Sequence, residues 1–184
     1  YSSKPDSHKL QNLIAEQLTA QGFNEILNNS LTKGGYYTDL TSFPAAHSVK
    51  IINALSSDLN VMRQTLLFGG LENIAYNVNR RNADLKFYEF GNCYYYNADN
   101  KKEGETLAAY DEDFHLAMWL TGNKQAQSWT MAEQKASIYE LKAYIENIFR
   151  RLGFNLRKLV TGEYADDLLS EALIVYSARG NKLA

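Results

Sequence analysis

The sequence predicts an α+β domain in which helices pack on an antiparallel or mixed sheet. Two segments, near 8–21 and 138–152, repeat apolar residues at the spacing of a helix, whereas residues 85–96 alternate with the period of a strand. The predicted order along the chain is helix, two strands, helix, hairpin, helix and further strands. This order favours an antiparallel or mixed sheet with helices on it.

The first helix is predicted at residues 8–21, with Ser7 as its N-cap and Gly22 after its last turn. Its apolar face consists of Leu10, Leu13, Ile14 and Leu18. A strand is predicted at 23–31, and Gly34-Gly35 then opens a tyrosine-rich loop.

The middle of the chain is predicted to form a short strand near 49–53, a helix that ends near Arg80-Arg81 and a long strand at 85–96. The polar segment 97–113 and a return strand at 114–121 complete a long-looped antiparallel hairpin. The polar residues of the helix fall largely on the face opposite its apolar stripe. That stripe consists of Leu67, Leu71, Ile74, Ala75 and Val78.

The last helix is predicted by a capping box, Ser137 followed by Glu140, and by an apolar stripe that ends before Gly153. A strand near 156–160, an acidic turn and an incomplete terminal hairpin follow. No repeat or linker divides the chain, so we predict a single domain over residues 1–184. The incomplete hairpin leads us to expect a piece of a larger polypeptide.

The composition excludes several classes of protein. The 184 residues include 19 basic and 21 acidic side chains, and the formal charge of −2 offers no overall attraction to nucleic acid or to an anionic membrane. Cys93 is the only cysteine, which excludes an intrachain disulfide and a cysteine-based zinc cluster. Because no run of about 18 apolar residues occurs, we expect a soluble, cytoplasmic protein with no membrane partner.

Few residues have the type and the spacing that a ligand-binding site requires. The three histidines, His8, His47 and His115, are far apart in sequence and supply no metal-ligand spacing. Gly34-Gly35 has no phosphate-loop context and is interpreted as a turn. Gly69-Gly70 lies in a predicted helix, where close backbone packing would explain it.

Glu89 is the most informative charged residue. It lies on an apolar, aromatic strand, where an unpaired carboxylate is costly, so we expect an arginine, lysine or backbone partner. Such a carboxylate is either catalytic or structural. The structural interpretation is favoured because ion-pair networks also perturb carboxylates.

The densest basic patch consists of Arg150, Arg151, Arg157 and Lys158. It lies near the end of the last helix, where cations complement the helix dipole. A contact with nucleic acid is the alternative interpretation.

Residues 53–91 contain four short motifs in a fixed order: Asn53-Ala54-Leu55-Ser56, Met62-Arg63-Gln64-Thr65-Leu66, Asn79-Arg80 and Phe87-Tyr88-Glu89-Phe90-Gly91. In these motifs the segment resembles the catalytic-like module of the bacterial phenylalanyl-tRNA synthetase β subunit. Gly22-Phe23-Asn24-Glu25-Ile26 is similar to the end of motif 1 of class II synthetases, and residues 137–153 are similar to a helix of the β subunit. Ala54, Gln64 and Ala143 depart from the family pattern.

The resemblance implies a class II aminoacyl-tRNA synthetase-like antiparallel (mixed) sheet flanked by helices. It also implies a non-catalytic module with no catalytic, cofactor-binding or metal-binding residue. Catalytic members of the class use an arginine of motif 2, which binds a phosphate, and a glycine-rich motif 3 to neutralise charge during adenylate formation. The chain has no counterpart of either feature. ATP and Mg²⁺ are implied for the holoenzyme, in which the α subunit joins phenylalanine to tRNA.

The resemblance further implies an α-subunit partner, in an assembly of two α and two β chains, and contact with tRNA through the holoenzyme. The residues expected at the subunit interface are Leu10, Leu13, Ile14, Leu18, Phe23 and Glu25. Two alternatives stay open. One is a tRNA-binding adaptor that uses the basic patch, and the other is a self-sufficient enzyme that activates an amino acid.

Overall fold

The computed structural model describes residues 6–105 and 107–184, and it has the α+β architecture that the sequence predicts. The helices are α1 (Ser7–Ala20), α2 (Leu67–Val78) and α3 (Ile138–Arg151). The strands are β1 (Asn24–Glu25), β2 (Leu31–Thr32), β3 (Val61–Met62), β4 (Leu85–Tyr96), β5 (Tyr110–Thr121), β6 (Asn123–Gln125), β7 (Gln134–Lys135), β8 (Val160–Tyr164) and β9 (Ala172–Tyr176). Within the described residues, no helix has the length and apolar character needed to cross a bilayer.

The main sheet is mixed and has β4 at its centre. β1 lies parallel to β4 on one side, and β5 lies antiparallel to it on the other. β4 and β5 pair along their whole length, from Leu85 opposite Thr121 to Tyr96 opposite Tyr110. The predicted long-looped hairpin is therefore confirmed, although its second strand begins at Tyr110 rather than at Phe114.

Successive side chains of β4 point to opposite sides of the sheet. Both faces therefore carry apolar side chains, and helices cover both. The core on one face consists of Ile14, Leu18, Phe23, Tyr88, Phe90 and Ile148, and it joins α1 and α3 to the sheet. The core on the other face consists of Leu66, Leu85, Phe87, Cys93 and Trp119. α2 packs over this second core.

The ends of α1 and α3 follow ordinary capping rules. The carboxylate of Asp6, not the hydroxyl of Ser7, caps α1 by accepting hydrogen bonds of 3.0 and 3.3 Å from the backbone N–H groups two and three residues further on. Ser137 caps α3 as predicted, accepting from the backbone N–H of Glu140 at 3.4 Å.

The strand predicted at 23–31 is wrong over most of its length. Only β1 and the first residue of β2 fall within it. Asn28 interrupts the strand because its backbone N–H and its side-chain amide both bind the carboxylate of Glu89.

Two further predicted strands differ from the structure. The segment near 49–53 makes a single bridge, between Lys50 and Val61, instead of a strand. The strand predicted near 156–160 is also wrong, because a 3₁₀ turn occupies Leu156–Lys158 and β8 begins only at Val160.

α2 turns much of its apolar stripe toward solvent. Leu71, Ala75 and Val78 are exposed, whereas Gly70 is buried against Trp119 and Asn73 faces Asn28. An amphipathic helix ordinarily buries its apolar face. In α2, a glycine and an asparagine occupy the inner face, because the neighbouring strands present a tryptophan and a polar cluster there.

Candidate functional site

A buried ion pair lies at the centre of the region that the sequence singles out. Arg63 follows β3, and Glu89 lies in the middle of β4. The Nη1 of Arg63 donates to Oε1 of Glu89 at 2.7 Å, and the two side chains are 7% and 0% exposed. The Nε of Arg63 donates to the backbone carbonyl of Asn92 at 2.9 Å. The expectation of an arginine, lysine or backbone partner for Glu89 is confirmed.

Two asparagines complete the environment of this carboxylate. The backbone N–H of Asn28 donates to Oε1 of Glu89 at 3.1 Å, and its Nδ2 donates to Oε2 at 2.6 Å. Asn73, on α2, donates to Oδ1 of Asn28 at 2.5 Å. We call Arg63, Glu89, Asn28 and Asn73 the polar frame. It joins β4, α2 and the segments that follow β1 and β3.

The polar frame is built for rigidity. Both carboxylate oxygens of Glu89 accept hydrogen bonds, and the side chain has no solvent-exposed surface. A buried charge in a satisfied network is held strongly in place, because removing its partner leaves an uncompensated charge in a poorly solvated environment. This geometry supports the structural interpretation of Glu89 over a catalytic one.

Glycine is required beside the frame and beneath α2. A Cβ at Gly91 would overlap the guanidinium of Arg63, and a Cβ at Gly70 would overlap the ring of Trp119. Gly69 is also tight, since a Cβ there would lie 3.0 Å from the side chain of Asn28. The predicted close packing at Gly69-Gly70 is confirmed.

Gln64 organises a second set of buried hydrogen bonds that sequence reasoning missed. Its Nε2 donates to Oγ of Ser48 at 2.8 Å and to the carbonyl of Pro44 at 3.0 Å. Its backbone N–H donates to the hydroxyl of Tyr37 at 3.1 Å, and the hydroxyl of Tyr95 donates to its carbonyl at 2.8 Å. The departure of Gln64 from the family pattern was the only available signal. In the structure this residue ties the 44–48 loop to the sheet.

Burial alters the titration of the tyrosines around Gln64. Loss of hydration is the main cause that raises the pKa of Tyr95 to about 12. The pKa of Tyr37 is also raised, chiefly by burial. Both hydroxyls therefore stay protonated and serve as hydrogen-bonding groups at neutral pH.

The residues expected at a subunit interface divide into two sets. Ile14, Leu18 and Phe23 are 7%, 0% and 2% exposed and pack in the domain's own core, so their assignment to a subunit contact is corrected. They are buried because α1 needs its apolar stripe to close one face of the sheet. Leu10 and Glu25 are exposed and Leu13 is partly exposed, so these three remain available.

The basic patch is exposed in full. All four side chains, Arg150, Arg151, Arg157 and Lys158, are on the surface at the end of α3 and in the turn that follows. Arg150 also lies 3.7 Å from the carboxylate of Glu146, one helical turn earlier. Within residues 6–105 and 107–184, no group of histidine, cysteine, aspartate and glutamate side chains is arranged to hold a metal ion.

Comparison with protein families gives a match over nearly the whole chain. Residues 1–171 match the model described as the phenylalanyl-tRNA synthetase beta chain CLM domain. The chain belongs to this family. This match confirms the family resemblance that is seen in residues 53–91.

Relatives of this CLM domain are phenylalanine–tRNA ligase beta subunits. The chain is 58% identical over 97% of its length to the subunit from Bacteroides thetaiotaomicron, and 42% identical over 96% to that from Porphyromonas gingivalis. It spans 22% of the length of each of these relatives.

Solved structures support the class II synthetase-like fold of the CLM domain. A pyrrolysyl-tRNA synthetase from Desulfitobacterium hafniense aligns with a TM-score of 0.62 and 13% identity, covering 98% of this chain and 58% of that one. An ATP phosphoribosyltransferase regulatory subunit/histidyl-tRNA synthetase from Bacillus halodurans aligns with a TM-score of 0.58 and 14% identity, covering 89% of this chain and 39% of that one. At this identity the likeness concerns the fold alone.

Proposed function

We propose that this domain is a structural support within the β subunit of phenylalanine–tRNA ligase, and that it holds the α subunit that joins phenylalanine to tRNA. The assembly contains two α and two β chains and acts in the cytoplasm. ATP and Mg²⁺ are used by the holoenzyme, and no residue of this domain binds them. tRNA is engaged through the holoenzyme.

The observation that carries this proposal is the closed polar frame. In a synthetase-like fold, the strand that bears Glu89 would border an active site. Here both oxygens of that carboxylate accept hydrogen bonds from Arg63 and Asn28, and the side chain is fully buried, so this carboxylate is held by the domain's own donors. Tyr94, Tyr95 and Tyr96 continue the strand, and none of them offers the positive charge that a phosphate requires.

The partner claim is tested with full-length chains. Full-length β subunit and α subunit are mixed, and their complex is measured by gel filtration over a range of concentrations. Leu10→Asp with Glu25→Lys alters the exposed part of the predicted interface, and we expect weaker association. Leu169→Asp, which changes an exposed leucine near the other end of the chain, serves as the control. Wild-type chains that do not associate would refute the proposal.

The non-catalytic claim is tested separately. We expect ATP–pyrophosphate exchange with phenylalanine in the holoenzyme, and none above background in the full-length β subunit alone. Exchange by the β subunit alone would instead support the self-sufficient enzyme.

A direct tRNA contact is a second candidate, favoured by the full exposure of the four basic side chains. If these cations contact phosphates, reversing Arg157 and Lys158 to Glu weakens tRNA binding by the holoenzyme and flattens its dependence on salt. Unchanged affinity and an unchanged salt slope would contradict a contact between these two cations and tRNA.

A further inference from the structure

β8 and β9 form a small sheet that is separate from the main one. They pair antiparallel with each other along their whole length. Residues 182–184 then return along β9, and the backbone N–H of Leu183 donates to the carbonyl of Val175 at 2.8 Å. We call residues 160–184 the terminal sheet. Because a hairpin is only marginally stable by itself, the order of the terminal sheet depends on what holds it against the domain.

The apolar contact between the terminal sheet and α3 is incomplete. A cavity of about 500 Å³ lies between them. Its walls are mainly apolar, and they include Leu141, Ile145 and Phe149 of α3 and Leu173 and Val175 of β9. A well-packed protein interior contains few voids larger than a water molecule. Apolar packing therefore holds the terminal sheet less firmly than it holds the helices of the main core.

Asp167 joins the turn between β8 and β9 to a loop that is distant in sequence. Its Oδ2 accepts from the backbone N–H of Thr41 at 2.5 Å and from the Thr41 hydroxyl at 3.0 Å. Its Oδ1 accepts from the backbone N–H of Ser42 at 3.3 Å. Hydrogen bonds from Ser42 and then from Thr41 are the main causes that hold the pKa of Asp167 below its usual range. The carboxylate is therefore charged at neutral pH, and hydrogen bonds to a charged acceptor are stronger than those between neutral groups.

These three hydrogen bonds are the whole polar connection of the terminal sheet. Within residues 6–105 and 107–184, no other hydrogen bond or ion pair joins residues 160–184 to the rest of the domain. The loop that donates them is itself tied to the domain, because Nε2 of Gln64 donates to the carbonyl of Pro44 at 3.0 Å. One carboxylate therefore links a loosely packed sheet to a firmly held segment.

We propose that the terminal sheet opens away from α3 as a unit, and that Asp167 is the latch that holds it closed. The connection at 152–159 contains Gly153, with φ of +83°, and a 3₁₀ turn. A short connection of this kind can absorb the change in backbone angles that such a movement requires. The open state is the minor one, because it exposes the apolar walls of the cavity to water. This movement does not depend on the proposed function.

The experiment is native-state hydrogen exchange of the full-length β subunit, measured by mass spectrometry. In the wild type, we expect the amides of β8 and β9 to exchange at least about tenfold faster than those of β4, since local opening requires less free energy than global unfolding. Asp167→Ala removes the latch, and it should speed exchange in β8 and β9 by a further factor of about three to ten without changing β4. Asp39→Ala, at an exposed aspartate close to Thr41 in sequence, is the matched control and should leave all rates unchanged.

A milder variant keeps the test decisive if Asp167→Ala does not fold. Thr41→Val removes only the hydroxyl donor, so exchange in β8 and β9 should speed up by less than in Asp167→Ala. Equal exchange of β4, β8 and β9 in the wild type would show that the terminal sheet does not open separately. Rates in the Asp167 and Thr41 variants that match those of Asp39→Ala would show that Asp167 is not the latch. Faster exchange of β4 in either variant would show that the carboxylate stabilises the whole domain, which would also overturn the inference.

Discussion

The face of the sheet beneath α1 and α3 is closed by apolar side chains alone, whereas the face beneath α2 combines a second apolar core around Trp119 with close-packed glycines and the polar frame. On the first face, Leu18 and Tyr88 exclude water by size and shape. On the second, Glu89 is buried only because Arg63 and Asn28 reach it in one geometry. Apolar packing tolerates substitutions of similar volume. A buried ion pair tolerates the loss of neither partner, so the two faces should respond differently to mutation.

The largest expected effect is at the ion pair. Arg63→Met leaves the carboxylate of Glu89 buried without its cation, and we expect the free energy of unfolding to fall by about 3–5 kcal/mol. Urea denaturation measures this change. Arg151→Met, at an exposed site on α3, should change it by no more than about 0.5 kcal/mol.

A double mutant sharpens this result. Arg63→Met combined with Glu89→Met removes both charges. The double mutant should therefore lose less free energy of unfolding than the sum of the losses in the two single mutants. Strict additivity would show that the two charges do not depend on each other.

The next effect contrasts conservative changes on the two faces. Leu18 is 0% exposed. Leu18→Ala should lower the free energy of unfolding by about 2–5 kcal/mol, whereas Leu18→Met should lower it by less than about 1.5 kcal/mol. Arg63→Lys is equally conservative in charge. It should nevertheless be costly, because a lysine cannot reach both Glu89 and the carbonyl of Asn92 as the planar guanidinium does. Equal tolerance of Leu18→Met and Arg63→Lys in urea denaturation would contradict the contrast.

The third effect concerns backbone proximity beneath α2. Gly70→Ala pushes a methyl group into the ring of Trp119, and we expect a loss of about 1–3 kcal/mol from overpacking. Gly35→Ala is the control, because a Cβ there meets open space. Adding Trp119→Phe to Gly70→Ala should restore part of the loss. A thermal melt of Gly70→Ala like that of Gly35→Ala would refute the requirement for glycine.

The same contrast explains which parts of the fold could be predicted. The long periodic segments, α1, β4 and α3, were located within a few residues because their patterns are local and repeated. The apolar stripe of α1 also led correctly to a buried face. The assignment of Ile14, Leu18 and Phe23 to a subunit contact is corrected, because periodicity shows that residues share one side of a helix but not what packs against that side.

The hydrogen bonds of the polar frame could not be predicted, because they join residues that are far apart in the sequence and no local pattern contains them. Arg63 and Glu89 are 26 residues apart, and Asn28 and Glu89 are 61 apart. The cost of an unpaired carboxylate predicted that Glu89 has a partner, but not which one. β1 and β2 contain only two residues each, too few for a period of two to be recognised. The family resemblance identified the whole segment without revealing these bonds.

The smallest expected effect lies beside the frame, at Tyr95. Tyr95→Phe removes the hydrogen bond to the carbonyl of Gln64, and we expect a loss of about 1 kcal/mol at pH 7. Tyr139→Phe, at a tyrosine that is 80% exposed, serves as the control.

The pH dependence of the same variant shows whether burial of the hydroxyl matters. The folded-state pKa of Tyr95 is raised from an ordinary 10.0 to about 12, so the folded protein holds this proton more tightly than the unfolded chain does. Its contribution to stability is therefore complete below about pH 10 and declines as the pH rises toward 12. Urea denaturation between pH 9 and pH 12 should show a shallower decline for Tyr95→Phe than for wild type, while Tyr139→Phe follows the wild-type curve. Equal slopes for all three proteins would mean that Tyr95 ionises as readily in the folded domain as in the unfolded chain, and that the polar side of the sheet opens to water near Gln64.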